Sequence, residues 1–183
     1  MNALNYPWWL ASRSMGIVAY LALSGSVVLG LTMALRVAPV KARRAVRTMH
    51  ERVALIAVAA IAAHGLLLLP DPWLNVGPLG VFVPFTMSYR PVWTGIGIIG
   101  GYLAAALSLS YYAKRRIGAK RWRNAHRFIP IAWLLASIHV VGAGTDGQSL
   151  WLLLGLALPV AAVVAMLGYR LAGKVSASPL ALP

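Results

Sequence analysis

Five long apolar segments constrain the fold of this chain more than any other feature of its sequence. They cover residues 16–35, 50–69, 92–113, 126–141 and 150–167 of the 183 residues. Each is close to the roughly 20 residues that an α-helix needs to cross a bilayer. The composition, 60% hydrophobic with 3 acidic residues against 17 basic ones, is also typical of membrane proteins. We therefore predict an all-α integral membrane protein, one domain over residues 1–183 built as a bundle of five transmembrane helices.

The basic residues gather on one side of this predicted bundle. Fifteen of the 17 follow the first, third and fifth segments, which leaves Arg13 and Arg90 on the other side. By the positive-inside rule, the N-terminus is then outside and the C-terminus cytoplasmic, in a multi-pass protein of the cell membrane, the inner membrane in a bacterium. Despite a net charge of +14, nucleic acid is not an expected partner, because short loops carry the charge and no soluble domain presents it. Anionic membrane lipid is the expected partner of these loops.

The four histidines lie on the second and fourth segments. His50 and His126 are near the basic side of the bundle, and His64 and His139 lie deeper. At 1.5 Å of rise per residue, the 14 residues from His50 to His64 correspond to about 21 Å. The 13 residues from His126 to His139 correspond to about 20 Å. The spacing therefore predicts two histidine layers across the membrane, His50 with His126 and His64 with His139.

The rotation per residue agrees with these layers on one helix and not on the other. At about 100° per residue, His50 and His64 point within about 40° of each other, whereas His126 and His139 differ by about 140° on an ideal helix. Pro130, one turn past His126, removes a backbone donor and clashes with the preceding turn. We therefore expect a kink or a changed winding in the fourth helix near this proline.

Two histidines per layer favour haem over a bare metal ion. Zinc or copper needs three or four protein ligands, and the chain has no cysteine and no carboxylate at the depth of His64 and His139. Haem supplies four equatorial nitrogens, so two axial imidazoles complete its coordination. The alternative for each histidine is a hydrogen bond to a neighbouring helix. Because buried ionisable groups are costly without a function, we predict two haem b groups, the inner iron held by His50 and His126 and the outer by His64 and His139.

The histidine spacing resembles that of the ferric reductase-like transmembrane domain. This family includes ferric reductases, NADPH oxidases and the haem-binding membrane subunit of the bacterial methionine sulfoxide reductase system. Residues 8–31, WWLASRSMGIVAYLALSGSVVLGL, resemble the helix before the first histidine helix, and residues 122–146, WRNAHRFIPIAWLLASIHVVGAGTD, resemble the second histidine helix. The resemblance implies a b-type cytochrome that carries electrons from a cytoplasmic flavoprotein to an external acceptor.

Three further residues are candidate cofactor contacts. Arg13 lies where the family places an arginine, and we predict that it pairs with an outer propionate; the alternative is a head-group anchor. At the inner layer, Arg127 is the first candidate for pairing with a haem propionate. The alternative is that its charge serves only to determine the membrane topology. Trp133 lies midway between His126 and His139, where it either bridges the two haems or packs in the core. For Gly97 and Gly101, helix contact is favoured over cofactor clearance.

The chain departs from ferric reductases and NADPH oxidases in its cytoplasmic part. GIGIIGG lies inside the third apolar segment and follows no strand, so it is not a dinucleotide-binding fingerprint. We therefore expect an oxidoreductase component without its own flavin and NAD(P)H domain, which receives electrons from a separate flavoprotein or from quinol. Two alternatives stay open: a quinol-linked haem subunit of a periplasmic oxidoreductase such as methionine sulfoxide reductase, and a non-redox transporter or assembly subunit with proton-relay histidines.

Overall fold

The computed structural model describes residues 6–145, 147 and 149–176 of the chain. Asp146, at the end of the second family-like segment, lies outside these residues. The described parts are all-helical and contain eight α-helices, with a 3-10 turn at Val40–Ala42. The helices are α1 (Pro7–Ala34), α2 (Arg43–Leu66), α3 (Gly77–Phe82), α4 (Pro91–Leu109), α5 (Lys114–Ile117), α6 (Ala119–His126), α7 (Ile129–Ala143) and α8 (Leu150–Ser176).

Five stretches of these helices are long and apolar enough to cross a membrane. This confirms the prediction of an all-α membrane fold with five spans. In a bilayer, helices satisfy all their backbone hydrogen-bonding groups internally, which is why apolar segments of this length fold in this way. The stretches are Pro7–Ala34, Val40–Leu66, Pro91–Leu109, Ala119–Ala143 and Leu150–Arg170.

The bounds of all five spans differ from the predicted ones. The fourth covers Ala119–Ala143 instead of residues 126–141, and the fifth ends at Arg170 instead of residue 167. The first begins at Pro7 instead of residue 16, because proline in the first turn favours helix initiation and no breaker follows it. The second ends at Leu66 instead of residue 69. The third ends at Leu109 instead of residue 113, where the Ser110 hydroxyl donates to the carbonyl of Leu107 and turns follow.

Two antiparallel helix pairs form the body of the bundle. In one pair α1 packs along α2, with Gly16 beside His64 and Gly30 beside His50. In the other pair α4 packs along α7, with Gly97 beside His139. The last helix, α8, packs against α1. The histidine helices α2 and α6–α7 are therefore each backed by a helix that carries no histidine.

Buried side chains of α1 and α7 hold the two pairs together. The Trp133 indole Nε1 donates to Ser24 Oγ at 2.9 Å, and the Tyr20 hydroxyl lies 3.2 Å from the hydroxyl of Ser137. On the outside, α8 exposes Leu154 and Leu158 by 62% and 78%. The apolar outer surface and the hydrogen-bonded interior are what a bundle surrounded by lipid requires.

The fourth span is interrupted directly after its first histidine. Helix α6 ends at His126, Arg127 and Phe128 form a turn, and α7 begins at Ile129 with Pro130 in its first turn. Proline is favoured in the first turn because its missing donor has no intrahelical partner there. The distortion that the sequence predicts near Pro130 is thus a break between two helices.

A turn after α2 leads to α3 and depends on one buried acid. Asp71 is 2% exposed, and its Oδ1 accepts hydrogen bonds from the backbone N–H groups of Trp73 (3.0 Å) and Leu74 (2.8 Å). This side-chain oxygen replaces backbone acceptors that the turn does not supply. Asp71 therefore fixes the path of the segment that reaches α3.

We expect Asp71→Ala to lower the free energy of unfolding by about 1–3 kcal/mol, because two backbone donors lose a buried acceptor. The thermal unfolding midpoint in detergent measures this loss. Asp71→Asn retains the accepting oxygen and is the matched control, with an expected loss smaller than that of alanine. Equal midpoints for both variants and the unchanged protein would contradict this role of Asp71.

Candidate functional site

The structure brings the four histidines together in two pairs. The ring centres of His50 and His126 are 6.1 Å apart, and those of His64 and His139 are also 6.1 Å apart. Within each pair, one imidazole comes from α2 and the other from α6 or α7. We call these pairs the His50–His126 layer and the His64–His139 layer. The spacing of the histidines along the sequence predicts this pairing.

Each imidazole is oriented by a hydrogen bond between its Nδ1 and a backbone carbonyl. A carbonyl oxygen only accepts, so Nδ1 carries the proton in all four rings, and Nε2 presents its lone pair. A neutral imidazole held in this way is the form that binds a metal. The bonds join His50 to Ser26 (2.9 Å), His64 to Ser12 (2.8 Å), His126 to Leu107 (3.2 Å) and His139 to Trp93 (2.9 Å).

The two carbonyls on α1 belong to a repeated Ser-x-x-x-Gly pattern. Ser12 and Gly16 contact His64, and Ser26 and Gly30 contact His50. The repeat distance of 14 residues equals the separation of His50 and His64, as two antiparallel helices require. The sequence interpretation missed these four residues. The repeat of serine and glycine at the histidine interval is the signal that would have found them.

The carbonyls on α4 have the same 14-residue interval. Trp93 and Leu107 are 14 residues apart, whereas the histidines that they hold, His126 and His139, are 13 apart. The break between α6 and α7 resolves this difference, because the turn resets the rotation and rise of the chain between the two histidines. The fourth span therefore reaches both layers although an ideal helix of the same sequence would not.

Gly97 of α4 leaves the space that the His139 imidazole occupies. A Cβ on Gly97 would overlap the imidazole of His139, while one on Gly101 would lie 3.2 Å from Cγ2 of Ile61. Gly101 thus serves the predicted contact between helices, here α4 and α2. Gly97 allows the His139 ring of α7 to approach the α4 backbone, so both glycines lie at contacts between helices, as predicted.

A large apolar cavity surrounds the His64–His139 layer. Its volume is about 470 Å³, and small residues line it on both helix pairs. The lining also includes residues 80–82 of α3, Met87 and Tyr89 in the segment before α4, and the start of α8. The small residues of the lining that matter here are Gly16, Ala62, Gly97, Gly100 and Ala136. The space has the size and the apolar surface expected for a bulky organic group.

The His50–His126 layer encloses much less space. Its cavity is about 10 Å³, and small residues again stand beside the imidazoles. Leu23, Val58 and Ile61 line both cavities, so three aliphatic side chains separate the two spaces. The small residues around the His50–His126 layer are Ala54, Ala57, Ala104 and Ser108.

Of the three additional candidates, only Arg13 lines either cavity. Its side chain is at the wall of the larger cavity, with the guanidinium 5.3 Å from the ring centre of Trp9. The Arg127 side chain is exposed and donates to Asn124 Oδ1. Trp133 is 5% exposed and packs in the core between α1 and α7. Arg90, the other basic residue at this end, donates to the carbonyl of Gly142 at 2.7 Å.

The described residues contain no group of three or more histidine, aspartate or glutamate side chains that would hold a metal ion alone. Each layer offers two imidazoles, each with Nε2 as its potential ligand atom. This donor set is incomplete for zinc or copper and sufficient for the two axial positions of an iron whose other ligands belong to a macrocycle.

We expect Gly97→Ala to lower the free energy of unfolding by about 1–3 kcal/mol, because the added methyl group must displace the His139 imidazole or separate α4 from α7. Gly155→Ala in α8 is the matched control, since a Cβ there meets no atom within 4 Å. Thermal unfolding in detergent compares the two variants. An equal effect of both would show that the contact between Gly97 and His139 is not tight.

Comparison of the chain with protein-family models, with curated proteins and with solved structures finds no match. The resemblance to the ferric reductase-like family therefore stays a hypothesis that rests on the histidine pattern and the two quoted segments. The geometry of the two histidine layers is therefore the main indication of what the protein does.

Proposed function

We propose that this protein is a di-haem b-type membrane cytochrome that carries electrons across the membrane. His50 and His126 would hold one haem iron, and His64 and His139 the other. When bound, haem supplies a one-electron Fe(III)/Fe(II) couple. The chain positions the ligands, excludes water and determines the environment of each iron.

The spacing of the imidazoles carries this proposal. Two imidazoles that would hold one metal ion between them, each at a bond length of about 2.0–2.1 Å, would have their ring centres roughly 6 Å apart. The corresponding distance is 6.1 Å in both layers. Edge-to-face packed rings also have centres about 4.5–7 Å apart, so what supports ligation is that the same separation recurs in both layers together with the same Nδ1 hydrogen bond on every ring.

The hydrogen bonds of the four rings support the same proposal. With Nδ1 bound to a carbonyl, each ring has one nitrogen left for a ligand, and it presents a lone pair. A proton relay needs both nitrogens of an imidazole, one to receive a proton and the other to release it. The alternative of proton-relay histidines therefore fits this arrangement less well than axial ligation.

The cavity of the His64–His139 layer fits a flat macrocycle between the two helix pairs. Glycine and alanine side chains on both faces leave the space open, and its lining is almost wholly apolar. Two protein ligands complete the coordination of the iron, so the site favours outer-sphere electron transfer over binding of oxygen at the metal. In the His50–His126 layer the ligands have the same spacing, but the enclosed space is about 10 Å³, so haem would enter there only if the surrounding side chains moved apart.

The charge distribution suggests the direction of electron flow. The loops beside the His50–His126 layer contain most of the basic residues, so the positive-inside rule places this layer near the cytoplasm. In this orientation the N-terminus is outside and the C-terminus is cytoplasmic. A cytoplasmic flavoprotein with an acidic surface would suit the basic end as donor, and quinol is the membrane-borne alternative. An external acceptor would receive electrons at the His64–His139 layer.

We expect protein purified in detergent to contain two b haems per chain by the pyridine haemochrome assay and a reduced-minus-oxidised spectrum. His64→Ala or His139→Ala should each remove one haem and retain the other, because each layer has its own two ligands. His50→Ala or His126→Ala should remove the second haem instead. Protein without haem after expression with adequate haem supply would disprove the proposal.

We expect Arg13→Ala to weaken retention of the haem at the His64–His139 layer about tenfold, since hydrogen bonds to a charged group contribute about 1.5–3 kcal/mol. Arg90→Ala is the matched control, because Arg90 is at the same end and does not line the cavity. Haem content during dialysis against apomyoglobin measures retention. Equal retention in both variants would exclude the propionate contact.

A further inference from the structure

We infer that Ser12 and Ser26 are positioning residues that tune the redox potentials of the two layers through the Nδ1 atoms of His64 and His50. This inference rests on the proposed function, because it concerns the ligands of the two irons. It adds to that function a residue-level control of potential, located entirely on α1.

Both serines place two acceptors beside one Nδ1–H group. Ser12 offers its carbonyl oxygen at 2.8 Å and its Oγ at 3.1 Å from Nδ1 of His64. Ser26 offers the same two atoms at 2.9 Å and 3.2 Å from Nδ1 of His50. The geometry recurs 14 residues apart, so it follows from the pattern and is not an accident of one site.

The role of the Ser12 hydroxyl follows from its second contact. Its hydrogen is donated to the carbonyl oxygen of His64 at 2.7 Å, which leaves an Oγ lone pair facing Nδ1–H. That carbonyl lies in the last turn of α2, where it has no intrahelical donor. Ser12 thus fixes both the main chain and the ring of the same histidine.

Burial makes these contacts effective. Ser12 is 1% exposed and Ser26 is 4% exposed, so water does not replace either hydroxyl. An acceptor at Nδ1–H increases the electron donation of Nε2 to a bound metal, which favours the ferric state of haem iron and lowers its potential. In a buried site this effect is not weakened by competing solvent.

The histidines on the facing helices lack such a second acceptor. Among the described residues, Nδ1 of His126 and Nδ1 of His139 each have one backbone carbonyl, from Leu107 and Trp93. Each layer thus combines one strongly donating ligand from α2 with one weaker ligand from α6 or α7. The control of potential therefore lies on the α1 side of both layers.

The test is potentiometric titration of the purified holoprotein, followed by the α-band spectrum. Ser12→Ala should raise the potential of the haem in the His64–His139 layer, which is identified as the haem lost in His64→Ala. Ser26→Ala should raise the potential of the haem in the His50–His126 layer, which is identified as the haem lost in His50→Ala. We expect about a threefold change in each oxidation equilibrium, or about 28 mV at 59 mV per tenfold for one electron. The other haem in each variant should keep its potential.

Ser14→Ala is the matched control, because the exposed Ser14 hydroxyl donates to the carbonyl of Leu10 on the same helix. Unchanged potentials in both serine variants, or equal shifts of both haems in each, would overturn the inference and leave the proposed function intact. Absence of haem from the unchanged protein would instead refute the proposed function. The two serines are tested separately, so a folding defect in one variant leaves the other decisive.

Discussion

The hydrogen bond from Nδ1 of each histidine to a backbone carbonyl is the interaction on which the site depends. It selects the tautomer, leaves Nε2 as the unprotonated nitrogen and ties each histidine helix to the helix behind it. A carbonyl inside a helix normally accepts from its own helix as well, so this arrangement uses the second lone pair of the oxygen. On the α4 side these carbonyls are the only acceptors that the described residues give Nδ1, whereas on the α1 side the buried hydroxyls of Ser12 and Ser26 add a second one.

The histidine layer occurs twice because antiparallel helices carry their contact residues at equal sequence intervals. Helices α1, α2 and α4 each place their contact residues 14 residues apart, an interval that returns nearly to the same face. The fourth span has an interval of 13 and meets the other three only because α6 and α7 are separate helices. Pro130 is well placed for this, since it starts α7 at no cost in hydrogen bonds.

The two layers have the same distance between their imidazoles and differ in the volume of the cavity around them. The His64–His139 layer has a cavity of about 470 Å³ beneath α3, whereas the His50–His126 layer encloses about 10 Å³. Between them stand Leu23, Val58 and Ile61, and Trp133 lines neither space. The core position of Trp133 agrees with the packing alternative for this residue, so aliphatic side chains occupy the shared boundary.

The sequence by itself determined the five helical spans, the position of each histidine along its span and the pairing of His50 with His126 and of His64 with His139. These features follow from rise and hydrophobicity, which act within one helix. Only the tertiary structure decided that Ser12, Ser26 and Gly97 contact the imidazoles, and that Arg13 lines the cavity while Arg127 does not. Such contacts depend on the rotation and approach of helices that are distant in sequence, and no local periodicity determines either of these.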